Sequence, residues 1–229
     1  MLTEFPRRLI RSFVRREGRI TPGQEKALSH YFSQYGLSIE NKILNAEKTF
    51  SRQAPLIVEI GFGMGQSLLT MASQHPEQDY IGIEVHRPGV GSLLAGLHEQ
   101  QLSNVQVFCA DAVEVLNQCI ADNSLAAVYI FFPDPWPKKR HHKRRIIQPE
   151  FINLVHSKLQ VGGIVHLATD WENYAEHMLM VMSENNKAWE NLAGEGHYHP
   201  RPDYRPLTKF EQRGQRLGHG VWDLMFKKR

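Results

Sequence analysis

The stretch FFPDPWPKKRHHKRR, residues 131–145, sets two opposed chemistries side by side. An apolar run ends in Asp134, held between Pro133 and Pro135. From Lys138 onward, six of eight residues are Lys or Arg and the other two are His141 and His142. The prolines remove two backbone donors and fix two dihedrals, so Asp134 projects from a stiff segment. Pro-Asp-Pro can serve as a turn and nothing more. An apolar run that ends so rigidly instead favours a side chain aimed at a ligand. A carboxylate repels a phosphate backbone and a basic run attracts one, so the two halves need different parts of a partner.

A second constellation lies upstream. EIGFGMG (59–65) joins an apolar run to a helical one. Gly61, Gly63 and Gly65 permit a tight turn and close approach of a ligand. Dinucleotide enzymes use similar turns, but their spacing is G-x-G-x-x-G, not the G-x-G-x-G found here. Glu59 precedes the first glycine by two residues, where it would meet a cationic group and repel a pyrophosphate. Glu84 ends the next apolar run, placed to accept both hydroxyls of a ribose. Asp111 ends the third, where it could accept from an adenine amino group. Together these residues describe a ligand with ribose, adenine, an ammonium and no phosphate. S-adenosylmethionine fits, its carboxylate taking the helix N-terminus. Each acid taken singly could be a helix cap or a surface charge.

These residues need elements that bring strand ends together. From residue 55 the chain alternates strand and helix signals: strands over 55–60, 79–86, 104–111, 126–134 and 163–170, helices over 66–74, 89–101, 112–120, 148–160 and 171–185. Such alternation implies parallel strands joined by right-handed helical crossovers. Residues 187–195 read as a strand, 208–218 as a short helix and 221–228 as a final strand. Residues 1–50 lack strand signals and read as a basic, helical extension, with residues 51–229 as the main domain.

The chain has 229 residues, 41% of them hydrophobic, enough for one domain with a sizeable core. No apolar run approaches the roughly 20 residues of a membrane span, and no secretory signal pattern is present. Cys109 and Cys119 have no metal or redox spacing and read as thiols in a reducing cytosol. The net charge of +3 conceals three basic segments: +4 over residues 1–20, +6 over 138–145 and +5 over 205–229, which leaves −12 for the remainder. One such segment could be a solvated surface. Three on an acidic body suit a polyanion.

The motifs RSFVRREGRIT (11–21), EIGFGMG, IGIEVH (81–86), FPDPWPKKRHHKRR (132–145), HLATDWENYAEHML (166–179) and TKFEQRG (208–214) resemble those of the bacterial tRNA (guanine-N7)-methyltransferases, the TrmB family. The resemblance implies an α/β, Rossmann-like class I S-adenosylmethionine-dependent methyltransferase fold. Its sheet would be mostly parallel and seven-stranded, with helices on both faces and an N-terminal helical extension. It implies methyl transfer from S-adenosylmethionine to ring nitrogen 7 of a tRNA guanine, guanine 46 of the variable loop. By the same resemblance Glu59, Gly61, Gly63, Gly65, Glu84 and Asp111 bind the cofactor, and Asp134 is catalytic and close to it. Lys138, Asp170, Thr208, Lys209, Phe210 and Glu211 contact substrate, and Arg140, His141, His142, Lys143, Arg144 and Arg145 contact RNA. A cytoplasmic monomer or homodimer with no membrane association and no obligatory protein partner is expected.

Plainer roles stand beside these. Asp170 could be an N-cap, and Thr208 with Glu211 has the spacing of a capping box. Trp136 could stack on a base or sit at the edge of the core. Arg7, Arg11 and Arg15 form a basic helical stripe with Leu9, Ile10, Phe13 and Val14 on its other side. His197, His199 and Asp203 could hold a metal, but a single Pro-rich loop without a second ligand cluster argues against it. Two other functions remain in view: a methyltransferase acting on an exocyclic amine or a small molecule, and an RNA-binding module without turnover. Three basic segments argue against a small substrate, and the intact acids argue against loss of turnover.

Overall fold

The computed structural model describes residues 12–13, 18–40, 42–184, 186–207, 211 and 220–229. Thr21 starts helix α1 (Pro22–Tyr35) through a capping box. Its hydroxyl accepts from the Gln24 amide, and the Gln24 side chain accepts from the Thr21 amide. A short strand, β1 (Gly36–Leu37), and a short helix, α2 (Ala46–Phe50), follow. The chain then alternates as its apolar pattern requires: β2 (Leu56–Ile60), α3 (Gln66–Gln74), β3 (Asp79–Ile83), α4 (Arg87–Glu99), β4 (Val105–Phe108), α5 (Ala112–Cys119) and β5 (Leu125–Phe131). A 3-10 turn (Lys139–Arg144) leads to α6 (Pro149–Lys158), β6 (Leu159–Thr169), α7 (Glu172–Ser183), β7 (Trp189–Asn191) and β8 (Trp222–Lys228).

The strands form one sheet in the order β1-β4-β3-β2-β5-β6-β8-β7. β1 to β6 run parallel, and β8 lies antiparallel to both β6 and β7. The sheet therefore has eight strands where seven were expected. The extra one, β1, pairs with β4 at the sheet edge over two residues, too few to give a periodic signal. β6 also begins four residues before the expected Gly163, because LQVGG carries no apolar run. The short helix expected over 208–218 lies outside the described residues apart from Glu211.

Alternation along β2 divides the core. Val58 and Ile60 face the layer of α5, α6 and α7, among Val115, Leu116, Ile152, Val155 and Met178. Ile57 faces the layer of α3 and α4, among Leu68, Met71, Leu93 and Leu97. Each fully buried aliphatic side chain contributes about 1.5–3 kcal/mol. α1 lies on α4, with the Gln24 carbonyl so close to Gly91 that a Cβ there would stand 2.6 Å from it.

The strand order reverses between β2 and β5, since β3 and β4 build out on one side of β2 and β5 on the other. Loops leaving β2 and β5 must diverge there, which opens a crevice beyond the carboxyl ends of the strands. No helix among the described residues is long and apolar enough to cross a membrane.

One close approach fixes the depth of that crevice. A Cβ at Gly89, in the first turn of α4, would stand 2.0 Å from the Gly63 carbonyl oxygen. Gly89→Ala gains about 1 kcal/mol of helix propensity but forces backbone from backbone. Overpacking of this kind costs about 1–3 kcal/mol, so a net loss of stability is expected in urea unfolding. A variant as stable as the parent would show that the turn and α4 separate freely.

Candidate active site

The glycine turn runs from the end of β2 into α3. Gly61, Gly63 and Gly65 have φ of +75°, +57° and +83°, a region that other residues enter only at a cost. A Cβ at Gly61 or Gly63 would meet nothing within 4 Å, whereas one at Gly65 would strike Leu93. The first two glycines therefore border open space and the third permits packing.

Glu84, just past β3, holds the turn in place. Its Oε2 accepts from the Gly63 amide at 3.0 Å, and its Oε1 accepts from the Val85 and His86 amides at 2.7 and 2.9 Å. A carboxylate offers about four acceptor positions, so the capacity left for a ligand is centred on Oε2. Asp111, just past β4, caps α5 by accepting from the Val113 amide at 2.9 Å through Oδ1. Capping and lining a site coexist here: Glu84 and Asp111 both border a cavity of about 230 Å³ at the strand ends. Gly61, Val85, Phe132 and Asp134 line it as well.

Glu59 lies deeper, beneath the turn and outside the cavity lining. It is 1% exposed; its Oε1 accepts from the Ser67 hydroxyl at 2.6 Å, and its Oε2 has no hydrogen-bond partner among the described residues. Burial pushes its pKa up to about 7, with the Ser67 hydroxyl opposing and the nearby Glu84 charge adding.

The segment after β5 is strained as well as stiff. Phe132 and Trp136, which flank Pro133-Asp134-Pro135, have φ of +52° and +46°. Non-glycine residues held there cost about 1–3 kcal/mol each and persist only where their surroundings fix them. The fixing is visible. The Phe132 amide donates to the Ala168 carbonyl at 2.8 Å. The Trp136 indole N–H donates to the Ser12 carbonyl at 3.2 Å. Asp134 stands exposed at the cavity mouth, engaged by no hydrogen bond or ion pair from the described residues.

The basic run divides. Lys138, Lys139, Arg140 and Lys143 are exposed, and His141 and His142 are half-buried. Burial, reinforced by the charges of Arg140, Arg144, Lys138 and Lys143, lowers the His141 pKa. Arg144 lies over the Trp136 ring, 5.1 Å from its centroid. Arg145 departs from its expected place on an RNA-facing surface, being 3% exposed. Its guanidinium donates to the Pro135 carbonyl at 2.9 Å and to the Asn173 side chain at 2.8 Å, and it covers the Tyr174 ring at 4.7 Å. It ties the Asp134 segment to α7.

Asp170, just past β6, is half-buried and is not the N-cap of α7; Trp171 holds that position. Thr208, Lys209 and Phe210 lie outside the described residues, as do Arg7, Arg11 and Arg15. Glu211 is buried and takes both Arg205 guanidinium nitrogens, at 2.7 and 2.9 Å.

Arg205 is 1% exposed and was not singled out from the sequence. It also donates to both oxygens of Asp223, at 2.6 and 2.8 Å. Asp223 is 2.7 Å from His166 Nε2, and His166 Nδ1 is 2.8 Å from the Tyr204 hydroxyl. Burial lowers the His166 pKa against the pull of Asp223. The guanidinium lies 5.5 Å from the Phe132 ring centroid, directly under the strained segment. An Arg in a +5 segment gave no sign of inward orientation. Ser12 and Phe13 also line the cavity and belong to no helix, although Phe13 was expected on the apolar side of one.

Glu59 makes stability depend on pH. Its folded pKa of about 7 exceeds the ordinary 4.5, so the native state binds more protons between those values. Stability should therefore fall as pH rises through that window, by up to a few kcal/mol. Glu59→Gln keeps an acceptor for Ser67 and cannot ionise. Urea unfolding at pH 5 to 8 should show the wild type losing stability relative to this variant as pH rises. Parallel curves would mean that Glu59 is ionised throughout.

The chain matches a family model described as "Putative methyltransferase" over residues 53–224. A tRNA (guanine-N(7)-)-methyltransferase of Escherichia coli strain K12 is 60% identical over 223 residues, covering 97% of this chain and 93% of that protein. One of Alcanivorax borkumensis is 59% identical over 222 residues, covering 97% and 92%. Among solved structures, the 16S rRNA methyltransferase KamB shares the fold with a TM-score of 0.58 at 14% identity, covering 82% of this chain and 95% of that one. With nearly full-length identity at this level and the matching sheet, the chain belongs to the bacterial tRNA (guanine-N7)-methyltransferases, the TrmB family.

Proposed function

We propose that this chain transfers the methyl group of S-adenosylmethionine to ring nitrogen 7 of guanine 46 in tRNA, forming 7-methylguanosine. The observation that carries this reading is the placement of Asp134, an exposed carboxylate at the mouth of a cavity bordered by Glu84 and Asp111, just ahead of a basic turn. Bound in that cavity, S-adenosylmethionine supplies an electrophilic methyl group on a sulfonium. Glu59 Oε2, buried and without a partner among the described residues, is the acceptor assigned to the ligand's ammonium. Glu84 Oε2 has capacity for a ribose hydroxyl and Asp111 for the adenine amino group. Gly65 seats the turn on α4.

Guanine nitrogen 7 carries a lone pair and no proton, so in-line attack on the methyl group needs no base. Positioning and electrostatics are the remaining tasks. Asp134 accepts from the donors on guanine's Watson–Crick edge and favours the positive charge that develops on the purine. Lys138 and Asp170 stand beyond the ends of β5 and β6 and contact the substrate from there. Thr208, Lys209, Phe210 and Glu211 complete that contact. Residues 1–50 serve as the basic extension of a catalytic domain spanning 51–229, acting in the cytoplasm as a monomer or homodimer.

The reading is tested by incubating tRNA with the protein and labelled S-adenosylmethionine, then analysing nucleosides by mass spectrometry. Label should appear as 7-methylguanosine at position 46; label in an exocyclic amine would refute the proposal. Asp134→Asn should keep the fold and most tRNA affinity while single-turnover transfer falls by about 10²–10³. An amide carries no charge and presents donors where the carboxylate only accepts. An undiminished rate would reduce Asp134 to a turn residue.

The divided basic run predicts divided effects. Replacing Lys139, Arg140 and Lys143 by Ala should weaken tRNA binding and flatten its salt dependence by about 0.7–0.9 in slope for each phosphate no longer neutralised. Arg145→Ala should instead lower the melting temperature, because it removes a buried cation that bonds Pro135 and Asn173. Equal salt slopes for wild type and the triple variant would place RNA elsewhere.

A further inference from the structure

Two residues of the N-terminal segment, Ser12 and Phe13, border the same cavity as Glu84 and Asp111. The sequence separates them from the Asp134 segment by more than a hundred residues, yet a hydrogen bond joins the two: the Trp136 indole N–H donates to the Ser12 carbonyl at 3.2 Å. A further point of contact lies on the other side of Glu84. A Cβ at Gly18 would stand 3.0 Å from His86 Nε2, so the backbone passes directly over the residue that opens α4. Ser12 and Gly18 are thus each located against an element that borders the cavity, and Phe13 lines the cavity itself.

The cavity needs such a residue. Its acids, Glu84 and Asp111, can hold the polar rim of a nucleoside, but a purine also has two apolar faces. Val85, Ala112 and Ile146 supply aliphatic surface; Phe132, from the strained segment after β5, supplies one aromatic ring and Phe13 a second. Aromatic surface suits a base because every base presents a π-face. Trp136 is itself gripped: Arg144 lies over its ring at 5.1 Å, and His141 meets its edge at 5.8 Å between centroids. The residue that fastens the N-terminal segment is therefore held by the basic run.

We propose that Phe13 is a cofactor-binding residue that walls the adenosine part of the cavity, and that Trp136 is its positioning residue. The proposal rests on the S-adenosylmethionine reading of that cavity. It gives the N-terminal segment a task in cofactor retention, distinct from attraction of RNA by its arginines.

Calorimetric titration of the full chain with S-adenosylmethionine, in the absence of tRNA, tests it. Phe13→Ala should weaken binding about tenfold or more, the order expected when an aromatic face is removed from a base site. Phe13→Tyr should restore it. Trp136→Phe keeps a ring for Arg144 and removes the indole donor, so it should weaken binding by about fivefold. Melting temperatures without ligand should stay close to wild type for both Phe13 variants, which separates a binding role from a structural one. Glu84→Ala serves as the reference. If the wild type binds and Glu84→Ala does not, while Phe13→Ala binds as well as or better than wild type, the assignment of Phe13 is overturned and the cofactor reading stands. If the wild type does not bind S-adenosylmethionine, both are overturned. Weaker binding in Phe13→Ala with unchanged affinity in Trp136→Phe would remove the role of Trp136.

Discussion

The site depends on a carboxylate doing two things at once. Glu84 receives the Gly63, Val85 and His86 amides, and in doing so welds the glycine turn after β2 to the end of β3. Three backbone donors that would otherwise face a ligand cavity unpaired are satisfied by one side chain. Backbone bonds from the Gly61 amide to the Ile83 carbonyl and from the Gly65 amide to the Phe62 carbonyl hold the two ends of the turn, and Glu84 holds its middle. So held, the turn is rigid, and the packing of Gly65 on Leu93 and of Gly89 under Gly63 follows. The open space beside Gly61 and Gly63 is preserved because its walls cannot relax into it.

The opposite wall is built differently. The Asp134 segment gets its rigidity from prolines and from two residues held at positive φ, and it is fastened from three directions. Arg145 reaches it from the basic turn, Arg205 supports it from below, and Trp136 links it to Ser12. One wall is fixed by local geometry within about thirty residues. The other is fixed by bonds and packing from both termini of the chain. That difference explains what the sequence could and could not disclose.

Strand ends and the acids on them were legible, because an apolar run bounded by Gly or Asp marks a buried parallel strand whatever its neighbours. Glu59, Glu84 and Asp111 were found that way, and α3 and β2 fall within a residue of their expected limits. The two-residue β1 carried no period. Arg145 could not be told from Arg144: the two are adjacent and identical, and only the fold turns one inward onto Asn173 and Pro135 and leaves the other on Trp136. Phe13 read as the apolar side of a basic helix, since no local pattern reveals a bond between its neighbour Ser12 and a tryptophan 124 positions away. Arg205 counts only toward a basic segment and Asp223 only toward a strand, because nothing local distinguishes a paired charge from a solvated one.

The cluster of Arg205, Asp223, Glu211 and His166 has a consequence for how this chain can change over time. Arg205 bridges two buried carboxylates, and one of them also holds the imidazole. Replacing Arg205 would strand both carboxylates in the core, a loss of about 3–5 kcal/mol, whereas an apolar set of the same volume would be tolerated. Arg205 and its two carboxylates are therefore locked to one another. A lineage can leave this arrangement by exchanging several members together and is barred from leaving it one step at a time. Because Arg205 lies beneath Phe132, whatever preserves that lock also preserves the floor under Asp134, and the reacting end of the protein inherits a constancy that its own chemistry does not demand.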